Sequence, residues 1–357
     1  MLSSPEQITA FRLNAQFLSS PFSGTPDKLI EEMGAMQAQD FAMAKWALGV
    51  RLPGCTNQEI TDAYNRGDIL RTHILRPTWH FVSPANIRWM LSLTADRIKS
   101  SSKSRDRDLG ITEELYERVN RIIRKALEGN KCLTRDALAV EIGKAKIKTD
   151  TACMTHFMMR AEVEGIVCSG VLEGGSHTYA LLDERVPSVP ALSEEEALAR
   201  LARIYFSTRS PATLQDFCWW SNLSLTKAEK GFNAVKQEFF PEKMNGQTYW
   251  FAHAANPKNP PDAVFLLPAF DEYIISYRDR RAVLSSETHA KAISSNGVFR
   301  PTVVANGKVI GLWKKAASGR RSVSVDFFNQ PEESIRKALD RATENYNEFW
   351  KDSNAAG

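Results

Sequence analysis

The feature that most constrains the fold of this chain is a group of helices closed by a strand or a β-hairpin, repeated three times in order. In the second copy, Thr134 is placed to cap a helix, and Gly174-Gly175 lies in a turn between two alternating segments. The helices predicted for this copy cover 112–127, 134–142 and 151–164, and the strands cover 166–172 and 177–182. Helices followed by such a hairpin are typical of a winged helix.

The first and third copies follow the same order. In the first, helices are predicted to start near Ser4, Thr25 and Thr56, and a strand rich in β-branched and aromatic residues covers 74–82. In the third, two helices start at Ser193 and Ser210, and a third helix covers 224–236. Asn245-Gly246 then suits the turn of a hairpin. A chain with three such modules has the architecture of a DNA-binding protein.

The chain changes character after the proline-rich segment 257–261, which reads as a stiff linker. Short strands are predicted over 264–267, 297–304, 309–313 and 322–325, with a turn at Asn306-Gly307 and a final helix over 331–350. These strands suggest a small barrel or curled sheet. The predicted fold class is therefore α+β, with tandem winged-helix domains followed by a small β-barrel-like domain. The predicted domains are 1–108, 109–190, 191–256 and 262–357.

The charge distribution points to a polyanionic partner more clearly than the formal net charge of +4 does. Between Arg97 and Arg107 lie five basic residues and one acid. A second run contains no acid, and its basic residues are Arg300, Lys308, Lys314, Lys315, Arg320 and Arg321. Either run alone is best interpreted as a solvated face. Two runs in an otherwise balanced chain favour double-stranded DNA, with Lys314, Lys315, Arg320 and Arg321 as candidate contacts.

Cysteine, histidine and hydropathy patterns indicate which classes of protein this is not. The five cysteines are scattered without a C-x-x-C spacing, and the six histidines are equally dispersed, so neither a metal site nor a cofactor is predicted. No apolar stretch approaches the length of a membrane span, and no signal peptide is recognisable. A cytoplasmic, nucleoid-associated monomer is the expected state.

Five segments of the chain resemble one known family. They are MGAMQAQD (33–40), LRPTWHFV (75–82), SPATLQDFCWWSNLS (210–224), LLPAFDEYIISYRDR (266–280) and NGKVIGLWKK (306–315). Together they resemble the AlkZ-like and YcaQ-like winged-helix DNA glycosylases. The resemblance implies three tandem winged helices and a β-barrel arranged as a clamp on DNA. It also implies hydrolysis of the N-glycosidic bond of N7-alkylated purines, in some members within interstrand crosslinks.

The family's Q-x-Q motif matches Gln37-Ala38-Gln39, and the resemblance places these two glutamines around the reacting sugar. If the stretch is extended, both side chains project from one face and can converge on one water. An N7-alkylated purine already carries positive charge and leaves as a neutral base, so a strong acid is dispensable. Oriented amides can position water and stabilise an oxocarbenium-like sugar. Asp40 is a candidate base, although a local hydrogen bond at a helix or strand end is the better interpretation.

Several further residues carry two interpretations. The resemblance places Arg76 and His80 beside the glutamines, where Arg76 could hold a phosphate and His80 could meet DNA or water. A core histidine bonded to backbone remains the simpler interpretation of His80. Asp271 could simply anchor a turn, and Trp219-Trp220 is more often core than a stacking platform.

Two alternatives to a monofunctional glycosylase remain open at the level of sequence. One is a DNA-binding protein or transcription regulator without catalysis, and the other is a scaffold for protein contacts. The placement of Gln37 and Gln39 distinguishes these alternatives from the enzyme, because an accessible concave basic surface around them supports catalysis and their burial in a core excludes it.

Overall fold

The computed structural model describes residues 5–244, 246–252, 262–316 and 323–351. It mixes helices and strands, as an α+β fold does, and divides into two compact units. The first unit joins 1–61 with 198–357, and the second is 62–197. The second junction lies near the predicted boundary at 190/191, and the first matches none of the predicted boundaries. The four-domain division stays a prediction.

The first unit takes its N-terminal part from three helices and one short strand. These are α1 (Pro5–Ala15), α2 (Pro26–Met33), β1 (Ala35–Gln37) and α3 (Phe41–Gly49). Proline at the first position of α2 fits a helix start, because the backbone N–H it lacks would be unsatisfied there anyway. Gly34 ends that helix with a φ of 76°, which turns the chain into β1. Helix α4 (Asn57–Arg66) then crosses into the second unit.

The second unit contains a hairpin, a long helix and a helical bundle with its own small sheet. Its elements are β2 (Leu70–His73), β3 (Trp79–Val82), α5 (Pro84–Leu109), α6 (Glu113–Leu127), β4 (Leu133–Thr134), α7 (Arg135–Gly143), α8 (Thr151–Val163), β5 (Val167–Ser169), β6 (Thr178–Leu181) and α9 (Leu182–Arg185). Thr134 caps α7 as predicted, since its side chain accepts from Ala137 N. Strands β5 and β6 form the predicted antiparallel hairpin, with Val167 opposite Leu181.

The chain returns to the first unit through α10 (Glu194–Thr208), which crosses the boundary. There follow α11 (Leu214–Ser221), α12 (Leu225–Val235), a 3-10 turn (Lys236–Glu238) and the antiparallel pair β7 (Phe240–Met244) and β8 (Gln247–Phe251). Thr213 and Asp216 form a capping box at the start of α11, which explains why a helix begins after Ser210-Pro211. Asn245, predicted in the turn between β7 and β8, lies outside the described residues.

The C-terminal part of the first unit is a four-stranded antiparallel sheet with a helix against it. Its elements are β9 (Val264–Leu267), α13 (Glu272–Ile275), α14 (Ser286–Ala292), β10 (Thr302–Ala305), β11 (Lys308–Lys315), β12 (Val323–Phe327) and α15 (Glu333–Phe349). The strand order is β12-β11-β10-β9, so the sheet is open where these residues are described, and of the predicted small barrel or curled sheet no barrel closes there. The segment 257–261 lies outside the described residues.

Two tryptophans tie α3 and α15 to this sheet. The indole N–H groups of Trp46 and Trp313 donate to the carbonyls of Leu266 and Leu267, both at 2.7 Å. The ring of Tyr346 in α15 lies 5.1 Å from each tryptophan ring in an edge-to-face arrangement. The core of the first unit is thereby continuous from its N-terminal helices to its C-terminal helix.

Three strand predictions were wrong in extent, and one of them, the predicted strand 166–172, is observed only as β5. Of the predicted strand 74–82, only residues 79–82 form a strand, β3, because Leu75 has a left-handed φ of 61° in the segment 74–78 that joins β2 to β3. The predicted strand 297–304 shortens to β10, since Gly297 lies in a turn with a φ of 75°. Five of the described helices, α3, α5, α9, α13 and α14, were not predicted.

Candidate active site

Strand β1 carries the first of the two candidate glutamines at its last position. Gln37 is 7% exposed, whereas Gln39, two residues further on, is exposed. Asp40 follows as the N-cap of α3, and its side chain accepts from Met43 N at 3.0 Å. The local role proposed for Asp40 from sequence is therefore the one it has. Of the two candidate glutamines, Gln37 is buried and Gln39 is accessible, so Gln39 alone meets the accessibility that the sequence-based hypothesis requires of both.

The backbone of Gln37 is held by a buried carboxylate that sequence reasoning missed. Its N–H donates to Glu272 Oε1 at 3.0 Å, and Glu272 is 1% exposed. The other oxygen, Oε2, accepts from Arg209 Nη2 at 3.0 Å, Trp220 Nε1 at 3.0 Å and Ser276 Oγ at 2.6 Å. Hydrogen bonds to an ionised acceptor are about twice as strong as neutral ones. Glu272 therefore anchors β1 to α10, α11 and α13.

Arg209 completes this anchor from the end of α10. The guanidinium is 0% exposed and donates to the carbonyls of Met33 at 2.8 Å and Ala35 at 3.0 Å. It also lies 4.4 Å above the ring of Trp220. A buried charge is tolerated only when it is paired and hydrogen-bonded, and both conditions are met here. We call Arg209 and Glu272 together the β1 clamp.

A second buried ion pair lies beside the β1 clamp. Arg51 donates to both oxygens of Asp271, at 2.8 Å each, and both side chains are 0% exposed. Asp271 also caps α13 by accepting from Tyr273 N at 2.9 Å, so it anchors a turn, as one interpretation of the sequence held. Tyr273 is buried, which raises the pKa of its hydroxyl, and it donates to the Gly307 carbonyl at 2.8 Å. Neither Asp271 nor Arg51 has a hydrogen bond to β1 among those described.

Trp219 and Trp220 divide between surface and core. Trp220 is 0% exposed and serves the β1 clamp, whereas Trp219 is 42% exposed and donates to the Ile275 carbonyl at 2.9 Å. The prediction that this pair belongs to the core holds for Trp220 alone.

Arg76 and His80 lie in the second unit, around the β2–β3 turn. His80 is 0% exposed, and its Nδ1 is 2.9 Å from the Thr78 carbonyl. Its Nε2 lies 3.5 Å from Arg76 Nη2, and Arg76 is partly exposed. The ring of His80 therefore has the backbone contact of a core histidine, and Arg76 is the more accessible of the two. Their contact with DNA stays a prediction.

The predicted basic contacts of the C-terminal run are described in part. Lys314 and Lys315 are exposed at the end of β11, opposite Ser324 and Val323 of β12. Arg320 and Arg321 lie outside the described residues. The run from Arg97 to Arg107 follows the second half of α5, and four of its five basic side chains are exposed there.

A wide cleft in the first unit was not anticipated from the sequence. Its volume is about 1070 Å³, and its lining includes Trp250, Arg278, Arg281 and His289. Arg278 is exposed, and Arg281 forms an ion pair with Asp279 at 2.6 Å. The repeated basic residues of the YRDRR segment were the available signal.

The described residues contain neither a candidate metal site nor a membrane-spanning helix. No group of three or more histidine, cysteine, aspartate or glutamate side chains is arranged to hold a metal ion in the described ranges. No helix in those ranges is long and apolar enough to cross a membrane.

Comparisons with known proteins agree with one another over nearly the whole chain. Residues 30–349 match the family model described as DNA glycosylase AlkZ-like. An interstrand DNA cross-link repair glycosylase from Streptomyces sahachiroi is 23% identical over 333 residues, which cover 88% of each chain. The solved structure of the DNA glycosylase AlkZ from Streptomyces sahachiroi matches with a TM-score of 0.83 and 21% identity, covering 98% of this chain and 97% of that one. At this identity the structural match shows a shared fold.

Proposed function

The chain belongs to the AlkZ-like DNA glycosylase family, and from that premise we propose that it hydrolyses the N-glycosidic bond of N7-alkylated purines in duplex DNA, with Gln37 and Gln39 positioning the attacking water. The observation that carries this proposal is the contrast between the two residues. Gln37 is held by a buried anchor, and Gln39 is exposed two residues further on. A rigid backbone beside an accessible amide is what a site for orienting water requires.

The chemistry asks little of the protein beyond orientation and electrostatics. Water attacks C1′ of the sugar, the bond from C1′ to the purine N9 breaks, and its electron pair neutralises the cationic ring. The water proton passes to solvent. Two neutral carboxamides hold the water and stabilise positive charge on the sugar with their oxygen dipoles. Asp40 is already engaged as the cap of α3, so the proposal assigns it no catalytic step.

We further propose that the helix–hairpin groups are winged helices that hold the duplex. The group α6–α8 with β5–β6 and the group α10–α12 with β7–β8 both have the required order of helices and hairpin. The candidate phosphate contacts are the exposed Lys314, Lys315 and Arg278 and the partly exposed Arg76. The name of the curated relative supports extending the substrate range to purines in interstrand crosslinks.

The test uses duplex DNA with a single N7-methylguanine, followed by alkaline cleavage at abasic sites. Wild-type protein is expected to release the base faster than spontaneous depurination. Gln37→Ala and Gln39→Ala are each expected to slow release by about 10²–10³-fold with little change in DNA affinity. The double variant should lose less than the product of the two single effects, because both residues hold one water.

Gln58→Ala is the matched control, since Gln58 is an exposed glutamine on α4 of the same unit. It should leave base release unchanged. Wild-type protein that binds this DNA but releases no base above the uncatalysed rate would falsify the assignment for this substrate and favour a binding protein without catalysis.

A further inference from the structure

We propose that Glu272 is a positioning residue for base excision, acting through the backbone of Gln37. The inference rests on the proposed role of Gln37 and goes beyond it, because Glu272 touches neither substrate nor water in this scheme. The carboxylate of Glu272 holds the backbone from which the side chain of Gln37 extends, and Arg209 holds that carboxylate in place.

The contacts of the β1 clamp follow one edge of the strand. In an extended chain, the N–H and C=O of one residue point to the same side, and residues two apart share that side. Arg209 binds the carbonyl of Ala35, and Glu272 binds the N–H of Gln37, two residues later. Two side chains thus supply on this edge the hydrogen bonds that a neighbouring strand would make.

The two carboxylate oxygens of Glu272 have different partners, and this difference directs one of them at Gln37 N. Oε2 receives three donors, which fix the orientation of the group, and Oε1 is directed at Gln37 N. All the groups concerned are buried, with Glu272 at 1%, Arg209 at 0% and Trp220 at 0% exposure. Water therefore cannot replace a lost partner without a rearrangement.

Strand β1 needs such an anchor because it is only three residues long. A catalytic group must be held within about 0.5 Å of its productive position, and a displacement of about 1 Å can cost about 10²-fold in rate. A strand of three residues cannot by itself hold the side chain of Gln37 with that precision.

Glu272→Gln is the discriminating substitution, because a carboxamide has a single acceptor oxygen. Four donors converge on the two ends of Glu272, so a glutamine must turn its NH₂ group toward one set of them. The three donors at Oε2 outnumber the one at Oε1, which leaves the NH₂ group facing Gln37 N–H. Glu272→Asp is the second variant, since it keeps the charge beside Arg209 but withdraws the carboxylate from Gln37.

The neighbouring residue provides a matched control. Asp271 is also a buried carboxylate paired with an arginine, yet its described hydrogen bonds go to Arg51 and Tyr273 and not to β1. Asp271→Asn therefore weakens a comparable buried ion pair, keeps a side-chain oxygen that can cap α13, and removes no described hydrogen bond to Gln37. Any loss of activity that comes only from a weakened core should be similar in the two variants.

The experiment compares single-turnover base release, DNA affinity and thermal midpoint for Glu272→Gln, Glu272→Asp and Asp271→Asn on N7-methylguanine DNA. All three are expected to lower the midpoint. At a temperature where each is folded, the Glu272 variants should release base about 10–100-fold more slowly than Asp271→Asn, with unchanged DNA affinity. Combined with Gln37→Ala, Glu272→Asp should add no further loss, because its effect passes through Gln37.

The outcomes separate this inference from the proposed function. If Gln37→Ala does not slow base release, the proposed function fails and the role of Glu272 fails with it. If Gln37→Ala slows release but folded Glu272→Asp stays within twofold of Asp271→Asn, or adds its full effect to Gln37→Ala, only the positioning role is overturned.

Discussion

Lys45 in α3 is a buried cation without a carboxylate partner among the described contacts. It is 8% exposed, and its Nζ donates to Thr61 Oγ1 at 3.0 Å and lies 5.0 Å from the ring centre of Phe41. Burial lowers the pKa of Lys45 from 10.5 to about 8, because the charged form loses its hydration. The side chain therefore stabilises the protein less when it is protonated.

Replacing Lys45 should change how stability depends on pH. Below pH 8, folded and unfolded chains both hold the proton, and the folded state bears the whole cost of burying the charge. Between pH 8 and 10.5 the unfolded chain binds more protons, so wild-type stability rises with pH. Lys45→Met should exceed wild type by roughly 1 kcal/mol or more at pH 7, and this advantage should shrink toward pH 10.

Urea unfolding at pH 7, 8.5 and 10 measures this difference. Lys314→Met is the control, since Lys314 is exposed and its variant should track wild type at every pH. An advantage of Lys45→Met that is the same at all three pH values would contradict the assigned cause.

Among single residues, the sequence points to those that belong to a recognisable motif and misses those whose role depends on buried contacts with distant residues. Gln37 and Gln39 were singled out as candidates because Q-x-Q is recognisable, whereas Glu272 was passed over although it directly follows Asp271, which was named. A carboxylate in an apolar run gives no sign of its partners. The proposed role of Glu272 depends on its hydrogen bonds with Arg209 and Trp220, which are separated from it by 63 and 52 residues in the chain.

The turn between β10 and β11 shows what local sequence alone can determine about an element. Asn306-Gly307 joins β10 to β11 with φ values of 48° and 83°, as a two-residue hairpin turn of the favoured handedness requires. The sequence predicted this turn, and the structure confirms it. It did not predict that the turn packs on α1, where a Cβ on Gly307 would lie 2.5 Å from Thr9 Cβ.

Gly307→Ala should therefore lower stability through both backbone strain and a steric clash with Thr9, whereas Gly54→Ala should lower it through backbone strain alone. Gly54 has a similar φ of 86° but nothing within 4 Å of an added Cβ, so alanine there meets only backbone strain of about 1 kcal/mol. At Gly307 the contact with Thr9 should add about 1–3 kcal/mol. Urea unfolding of both variants measures the difference, and equal losses would show that α1 yields to the added methyl group.

Elements without periodic polarity were the ones that sequence reasoning lost. Helix α3 is buried over most of its length, from Ala44 to Gly49, so it shows no alternation of apolar and polar faces. Helix α5 runs for 26 residues, but its second half was recognised only as a run of basic charge. A hydrophobic pattern predicts a helix when one face is apolar and the other meets water. Helix α3 lacks the exposed face, and the buried residues in the second half of α5 are Ile98, Ser102 and Asp106, of which only one is apolar.

The division of the whole molecule into two units was beyond what local pattern can reveal. The first unit combines the two ends of the chain, 1–61 and 198–357. Its assembly depends on contacts such as Arg51 with Asp271, 220 residues apart. A repeat of helices and hairpins predicts modules in chain order and carries no information about which distant segments share a core.

The surface charge of the whole molecule makes the proposed DNA partner testable through salt. Each phosphate contact that releases a counterion adds about 0.9 to the slope of log affinity against log salt. Lys314 and Lys315 are exposed at the end of β11, so Lys314→Ala combined with Lys315→Ala should reduce that slope by about 1.8 if both meet phosphates. Adding Arg320→Ala and Arg321→Ala tests the remaining candidates of the run.

Lys308→Ala is the matched control because Lys308 lies on the same strand but pairs with Glu6, with Nζ and Oε1 2.5 Å apart. Its substitution removes one charge from β11 without removing a predicted phosphate contact, so the slope should stay at the wild-type value. Binding of undamaged duplex DNA between 50 and 200 mM salt, a range over which such contacts change affinity by orders of magnitude, provides the measurement. An unchanged slope in the Lys314 and Lys315 double variant would remove the end of β11 from the DNA interface, while leaving the assignment of Gln37 and Gln39 to be judged by base release alone.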